Sequence, residues 1–334
     1  MPGMSTPSAA PGTFVLVLGG ANMDIVASAP TLHAAESNPG RIGCSPGGVA
    51  RNVAENLARL GHRVRLVALF GDDPFGTLLR EATAAAGVDL ALAPVVAGAS
   101  TCSYLSLHGA GGDMATAVND MALMDRLDPA WLAAQTAPGA PLAHALDRAD
   151  AWVLDCNLRA DALAWLLQRG RRGLRCVDAV SAHKAARVAP LLAEVDLLKL
   201  NGFEAEALLG EPVRDEAAAC AAALALVARG ARQVVLSLGA RGAAWAERGA
   251  PAPSGFAPAP PVDAAALRST SGAGDALLAG LTHGRLAGWP LEAALRFAQG
   301  CAALTLQAYG ANHPGLSVAA VQALRGTAPA QSAA

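Results

Sequence analysis

The chain lacks any marked excess of charge of one sign. Its 25 lysine and arginine residues are nearly matched by 27 aspartate and glutamate residues, so the formal net charge is −2 at pH 7. No stretch gathers basic residues into a stripe that could neutralise a phosphate backbone, and we therefore expect no nucleic acid partner. With 53% hydrophobic and 16% charged residues over 334 positions, the composition is typical of a well-packed globular enzyme.

The chain also lacks the patterns of membrane, secreted and zinc proteins. Apolar runs are broken before they reach the length that spans a bilayer, so no membrane segment is expected. Residues 1–12 have neither a basic start nor a long apolar core, so no signal peptide is predicted. Neither Cys-x-x-Cys nor His-x-x-x-His spacing occurs, which argues against a dedicated zinc site. The scattered cysteines favour free thiols in a reducing cytoplasm. They are Cys44, Cys102, Cys156, Cys176, Cys220 and Cys301.

What the sequence does have is an alternation of short apolar runs with helical patterns. This alternation predicts an α/β fold, in which a mostly parallel central sheet lies between helices. The expected strands are residues 14–18, 64–69, 151–155, 174–177, 197–200 and 234–238. The expected helices are residues 51–60, 75–86, 161–169, 185–192, 216–228, 275–286 and 291–308. In such sheets ligands bind beyond the carboxyl ends of the strands.

Some segments do not fit the alternation. Residues 25–44 and 94–121 have the character of extended stretches with turns, and we expect them to form a small β-strand lid on the main sheet. Residues 134–149 and 249–261 are rich in proline, alanine and glycine and are predicted to be surface loops. We expect residues 13–326 to form one domain, with disordered tails at 1–12 and 327–334.

The segment 269–280 carries the strongest chemical signal. A turn of small residues, from Ser271 to Gly274, leads directly into an apolar helical pattern that starts at Asp275. N–H groups at a helix start have no partner within the helix, and glycine lets an anion approach them closely. An anion hole beside a carboxylate suits phosphoryl transfer to an alcohol, because the carboxylate can take the hydroxyl proton. Taken alone, the pattern also fits an ordinary helix cap.

Two other segments combine a turn or strand end with polar side chains. Gly47 and Gly48 precede a helix that carries Asn52, whose amide can face a polyol; a plain turn before an amphipathic helix gives the same pattern. Asn201 and Glu204 follow the strand expected at 197–200, and there the alternative is a helix cap with an acid in its first turn.

With these motifs in the order 47–52, 201–204 and 272–275, the chain resembles the ribokinase-like (PfkB-type) carbohydrate and nucleoside kinases. The resemblance covers nearly all of residues 14–326. It implies a ribokinase-like three-layer αβα sandwich with a mostly parallel central sheet and a small β-strand lid. It also implies ATP and Mg²⁺ as cofactors.

The resemblance assigns roles position by position. It implies that Asp275 is the general base and that the anion hole consists of Gly272, Ala273 and Gly274. The acceptor pocket that it implies consists of Asn22, Asp24, Gly47, Gly48 and Asn52. The nucleotide site that it implies consists of Asn201, Ser237, Gly239, Gly242 and Asn312. In this assignment Glu204 and Asn201 organise Mg²⁺, mostly through waters.

Within that family, passages at 38–57, 112–121 and 177–201 resemble pseudouridine kinases. The second passage falls in the expected lid, where Asn119 and Asp120 are candidates to read the base; a simple β-turn is the alternative. The chain departs from many relatives in carrying Ser269-Thr270 where they carry Asp-Thr before the anion hole. That departure leaves activation by a monovalent cation open.

The leading hypothesis is an ATP-dependent kinase that phosphorylates the 5′-hydroxyl of pseudouridine. The nearer alternative keeps the chemistry and changes the acceptor to ribose, uridine or inosine. A catalytically inactive nucleoside sensor is an alternative of another class, against which the intact turn before Asp275 argues. The resemblance further implies a homodimer formed through the lid. A cytoplasmic location is expected from the scattered cysteines.

Overall fold

The computed structural model describes residues 13–110, 113–169 and 173–326. The tails predicted at 1–12 and 327–334 therefore lie outside the described residues, as does Gly112 of the lid passage.

Two sheets contain most of the strands. In chain order the strands are β1 (Phe14–Leu18), β2 (Asn22–Ser28), β3 (Arg41–Gly47), β4 (Arg63–Val67), β5 (Phe70–Gly71), β6 (Val95–Val96), β7 (Ser103–His108), β8 (Met114–Asp120), β9 (Ala151–Asp155), β10 (Leu174–Asp178), β11 (Leu197–Asn201), β12 (Gln233–Ser237), β13 (Gly242–Glu247) and β14 (Ser254–Pro258). The large sheet has the order β14-β13-β12-β11-β10-β9-β1-β4. From β12 to β4 the pairing is parallel, and β13 and β14 add an antiparallel edge. The mostly parallel sheet predicted from the sequence is confirmed.

Helices cover both faces of the large sheet. They are α1 (Val49–Arg59), α2 (Pro74–Ala85), α3 (Pro129–Gln135), α4 (Pro141–Arg148), α5 (Ala160–Leu167), α6 (Ala182–Ala185), α7 (Gly202–Leu209), α8 (Glu216–Ala228), α9 (Ala273–Leu286), α10 (Leu291–Thr305) and α11 (Val318–Gly326). One core contains side chains of α1, α2, α9, α10 and α11, and the other contains side chains of α3 to α8. Strand β1 contributes side chains to both cores, because successive side chains of a strand point to opposite faces of the sheet. Val15 and Val17 lie in the first core, and Leu16 and Leu18 lie in the second. The three-layer αβα architecture is thus present.

The expected lid segments form a separate four-stranded sheet of order β3-β2-β7-β8, hereafter the lid sheet. Its strands reach further than expected at one end, since β2 begins at Asn22 and β3 ends at Gly47. The start of the second segment behaves differently, because β6 pairs with β5 in a two-stranded ladder outside the lid sheet.

Three sequence predictions of local structure were wrong. The helix expected at 185–192 is split into α6 and a 3₁₀ helix at Ala189–Glu194. Pro190 lacks the N–H that a continuous α-helix would need there. The loop expected at 134–149 contains α4, whose Leu142 and Leu146 are buried at a one-turn spacing. The loop expected at 249–261 contains β14, which pairs with β13; alanine, glycine and proline give a weak strand signal, so pairing rather than propensity forms it.

No helix within the described ranges is both long enough and apolar enough to cross a membrane.

Candidate active site

The glycine turn of the strongest motif lies at the start of α9. Gly272 is the N-cap and has φ 76°, a left-handed conformation, and a Cβ at this position would collide with the carbonyl of Ala311. Ala273 and Gly274 begin the helix, so their N–H groups have no acceptor inside it. A helix start with this geometry can bind an anion.

Asp275 lies in the first turn of α9 and is 8% exposed. Asn52 of α1 donates a hydrogen bond from Nδ2 to Asp275 Oδ2 at 2.8 Å. Burial raises the pKa of Asp275 to about 7; the negative charge of Asp178 adds to the increase, and Lys199 and the Asn52 hydrogen bond oppose it. A carboxylate with a pKa near neutrality suits a general base that works near neutral pH.

Lys199, in the middle of β11, brings a positive charge under the same turn. Its Nζ is 3.0 Å from Asp178 Oδ2, and both side chains are buried. A Cβ added to Gly274 would lie 2.7 Å from Lys199 Nζ, so the ammonium group lies directly against the glycine turn. Lys199 was not predicted from the sequence to be a functional residue. A signal was available, because Lys199 and Lys184 are the only lysines in the chain.

The acceptor-side residues gather at the start of β2 and the end of β3. Asn22 donates from Nδ2 to Asp24 Oδ1 at 2.6 Å, and the Asp24 carboxylate fills the space beside the Cα of Gly47. Burial raises the pKa of Asp24, while the Asn22 hydrogen bond and the charge of Arg51 oppose that increase. Asp24 thus remains a hydrogen-bond acceptor close to the start of α1.

The start of α1 is fixed by backbone contacts and by a buried carboxylate. Gly48 is the N-cap with φ 95°, and a Cβ there would lie 2.5 Å from the carbonyl oxygen of Gly20. Asp155, at the end of β9, accepts from Gly20 N and from Ala50 N, each at 2.9 Å. Asp155 was missed by the sequence analysis; it holds the end of β1 and the start of α1 together.

The expected nucleotide residues lie at the carboxyl ends of β11 and β12. Asn201 and Ser237 are register partners across these strands. Gly239 and Gly242 form the turn after β12 and have φ values of 60° and 128°. The backbone at this turn can therefore approach a ligand without a side chain in the way.

Asn201 and Glu204 form a reciprocal capping box at the start of α7. Asn201 donates from its backbone N to Glu204 Oε2 and from Nδ2 to Glu204 Oε1, both at 2.8 Å, and Glu204 N donates to Asn201 Oδ1 at 3.0 Å. The cap considered as the alternative is present. It leaves lone pairs on the carboxylate, and burial raises the pKa of Glu204. The role in organising Mg²⁺ stays a prediction.

Asn312 lies against α1. Its Nδ2 donates to the carbonyl oxygen of Asn52 at 2.9 Å, and its Oδ1 accepts from Arg51 Nη1 at 2.8 Å. The structure therefore groups Asn312 with Asn52 and Asp275, whereas the sequence grouped it with the nucleotide residues. Its contact with a nucleotide stays a prediction.

Strand register separates the two lid candidates. Asn119 pairs with Tyr104, which pairs with Asp24, so the three side chains lie on one face of the lid sheet. Asp120 pairs with Ser103 and falls on the opposite face. Its carboxylate accepts from the backbone N of Ala122 at 3.1 Å, as in a turn cap.

A site for Mg²⁺ needs oxygen ligands, many of them supplied by waters and phosphates. Among the residues that the structure describes, no three His, Cys, Asp or Glu side chains are arranged to hold a metal ion. The negative charges of Asp178, Glu204 and Asp275 nonetheless all act on the ammonium group of Lys199. Mg²⁺ keeps most of its waters and binds together with a nucleotide, so it needs few direct ligands from the protein. These carboxylates fit such an ion.

Comparison with known proteins agrees with this geometry. Residues 13–318 match the model of the pfkB family of carbohydrate kinases. The chain is 36% identical over 312 residues to the pseudouridine kinase of Escherichia coli K12, covering 93% of this chain and 96% of that one. It is 34% identical over 306 residues to an uncharacterised sugar kinase of the same organism, covering 91% and 81%. The ribokinase of Arabidopsis thaliana complexed with ribose and ATP superposes with a TM-score of 0.79 at 21% identity, covering 93% and 98%. The chain belongs to the pfkB family of carbohydrate kinases.

Proposed function

We propose that this pfkB-family member is an ATP-dependent kinase that transfers a phosphoryl group to the 5′-hydroxyl of pseudouridine. The observation that carries the proposal is the buried Asp275 beside the glycine turn of α9, contacted by Asn52. The similarity to a pseudouridine kinase over nearly the whole of both chains supports the choice of acceptor.

In this proposal each side chain has a separate task. Asp24 accepts hydrogen bonds from ribose hydroxyls, with Asn22 and Asn52 beside it. Asp275 takes the proton of the 5′-hydroxyl as the oxygen attacks phosphorus. The N–H groups at Gly272–Gly274 stabilise the charge on the transferring phosphoryl group, and Lys199 adds a positive charge against that turn.

The nucleotide is proposed to lie along the ends of β11 and β12. Ser237, Gly239 and Gly242 line it there, and Asn312 borders the pocket from the side of α1. Glu204 and Asn201 are the residues that would hold Mg²⁺ through waters. When bound with ATP, Mg²⁺ supplies charge neutralisation on the phosphates.

Asn119 is proposed to read the base, because it shares a face of the lid sheet with Asp24 and Tyr104. Asp120 is the weaker candidate, since its carboxylate is engaged by the turn that follows β8.

The opposite face of the lid sheet carries exposed apolar side chains: Ile42, Leu105 and Val118 are 76%, 42% and 64% exposed. We propose that this apolar face pairs with a second copy of the chain. Sedimentation of Val118→Glu should then give a monomer where the unmodified chain gives a dimer.

The test of the function is a coupled assay of ADP formation with pseudouridine, uridine, inosine and ribose. We expect the value of kcat/KM for pseudouridine to exceed that for uridine by at least ~10²-fold. As a matched control, 5′-deoxypseudouridine should bind competitively and give no product. Comparable values of kcat/KM for the two nucleosides, or a clear preference for ribose, would show that pseudouridine is not the specific acceptor. Neither result would affect membership of the family. Binding of pseudouridine without any turnover would instead indicate a sensor.

A further inference from the structure

A buried arginine lies behind Asn52, on the side away from Asp275. Arg51 is 3% exposed, and its Nη1 donates to Asn52 Oδ1 at 3.1 Å and to Asn312 Oδ1 at 2.8 Å. Its Nη2 forms an ion pair with Glu55, one turn further along α1, and its Nε donates to Thr83 Oγ1 of α2 at 3.2 Å. The guanidinium group is therefore held on three sides.

This arrangement decides which way the Asn52 amide points. A guanidinium group can only donate hydrogen bonds, so the amide oxygen must face Arg51. The amide NH₂ then faces Asp275 and donates to Oδ2 at 2.8 Å. A flipped amide would place its oxygen against the carboxylate and its NH₂ against the guanidinium, and both contacts would be repulsive.

We propose that Arg51 is a positioning residue, which fixes the Asn52 amide with its N–H towards Asp275 and thereby holds the reacting carboxylate in its productive orientation. Asn312 assists, because it accepts from Arg51 and donates to the backbone of Asn52. The inference rests on the proposed function, in which Asp275 is the general base.

The charges around Asp275 set the expected consequence. Asp178 of β10 and Asp155 of β9 raise its pKa, and Lys199 of β11 lowers it. From α1, the Asn52 hydrogen bond also lowers the pKa of Asp275, and Arg51 and Glu55 lie behind Asn52. Without Arg51 the Asn52 amide can turn, that hydrogen bond is lost, and the pKa of Asp275 rises further.

The experiment measures kcat against pH, at saturating ATP and with the best acceptor found, for the unmodified chain and for Arg51→Lys. Lysine keeps the charge but lacks the fork that reaches Asn52, Asn312 and Glu55 together. We expect the acid limb of the profile to move up by about one pH unit, so that turnover falls about tenfold at low pH and recovers at high pH. Asn312→Ala, which leaves the Arg51–Glu55 pair in place, should move the limb in the same direction by less.

Thr83→Val is the matched control, because it removes a hydrogen bond of the same guanidinium group on the side away from the site. It should lower thermal stability without moving the acid limb. An unmoved limb in Arg51→Lys and Asn312→Ala, with Asp275→Asn inactive, would overturn the inference and leave the proposed function intact. A uniform loss of turnover at every pH would also overturn it, since that is the result of a purely structural role. Near-normal turnover in Asp275→Asn would overturn the proposed base and this inference together.

Discussion

The carboxyl edge of the main sheet and the lid sheet both border the proposed acceptor pocket, yet they are built in opposite ways. At the edge, Asp275, Asn52 and Lys199 are each at most 8% exposed, and each contacts another polar side chain. On the lid sheet, Ile42 and Val118 are 76% and 64% exposed, and Asn119 is exposed as well. The difference follows from the tasks proposed for them. A carboxylate must be withdrawn from water to act as a base near neutral pH, whereas the lid side chains must be reachable, Asn119 for the acceptor and Ile42 and Val118 for a second copy of the chain.

The largest expected effect comes from substituting Asp275, the proposed general base at the sheet edge. Asp275→Asn should lower kcat by roughly 10²–10⁴-fold, because proton removal is lost while the anion hole remains. The KM values for ATP and nucleoside should change little, which steady-state kinetics and binding measurements can check. Near-normal turnover would mean that the base lies elsewhere.

Removing the positive charge of Lys199 from the edge should have the second largest effect. Lys199→Met should lower kcat by roughly 10²–10³-fold, because the ammonium group against Gly274 no longer stabilises the transferring phosphoryl group. The variant should also lose about 3–5 kcal/mol of stability, since Asp178 is left buried and unpaired.

The double variant Lys199→Met with Asp178→Asn separates these two effects. It removes the unpaired charge, so denaturant unfolding should show much of the stability restored while turnover stays low. Recovery of turnover together with stability would make Lys199 a structural residue only.

The boundary between the two regions is tested at Asp24. Asp24→Ala should raise the acceptor KM by about 10–10²-fold, as expected for the loss of hydrogen bonds to a charged acceptor, and should leave the ATP KM nearly unchanged. Initial-rate measurements with each substrate varied in turn give both constants. If both rise equally, Asp24 supports the fold of the lid and does not hold the acceptor.

On the lid the expected effect is smaller and selective. Asn119→Ala should reduce kcat/KM for pseudouridine about tenfold and for uridine much less, so the ratio between the two narrows. Asp120→Ala is the control from the opposite face, and it should leave the ratio unchanged. If only Asp120→Ala narrows the ratio, Asp120 reads the base. That result would contradict the assignment of the acceptor to the lid face that carries Asn119.

The smallest effect is on the thermal stability of Asp275→Asn. Its sign follows from the burial of Asp275 at the sheet edge. The folded pKa of Asp275, about 7, lies above its unfolded value near 3.8. Burial of the neutral acid is therefore tolerated at low pH, and the folded state loses stability as pH rises from about 4 towards 7. Asp275→Asn cannot ionise, so at pH 8 it should melt a few degrees above the unmodified chain, whereas at pH 4 the two should melt together. Thermal melts at both pH values decide this; equal melting at pH 8 would show that the carboxylate is better solvated than its burial implies.

The sequence by itself determined the elements with strong local signals. Alternating apolar runs predicted the six parallel strands of the main sheet, because a strand buried on both faces needs continuous apolar residues. Small-residue turns before helical patterns located the starts of α1 and α9, because left-handed backbone at Gly48 and Gly272 admits little else. Those two turns already placed Asn52 and Asp275 on first helical turns.

Only the tertiary structure decided which of these polar residues meet. The contact of Asn52 with Asp275 joins residues 223 positions apart, and no local pattern encodes such a distance. The same holds for Arg51 with Asn312, for Lys199 beneath Gly274, and for the faces that separate Asn119 from Asp120. Strands β13 and β14 were missed for a related reason, since edge strands of alanine and glycine form where a partner offers hydrogen bonds. Local propensity locates the elements with strong signals, whereas the packing of helices on both faces of a parallel sheet brings the ends of those elements, and so the chemistry, together.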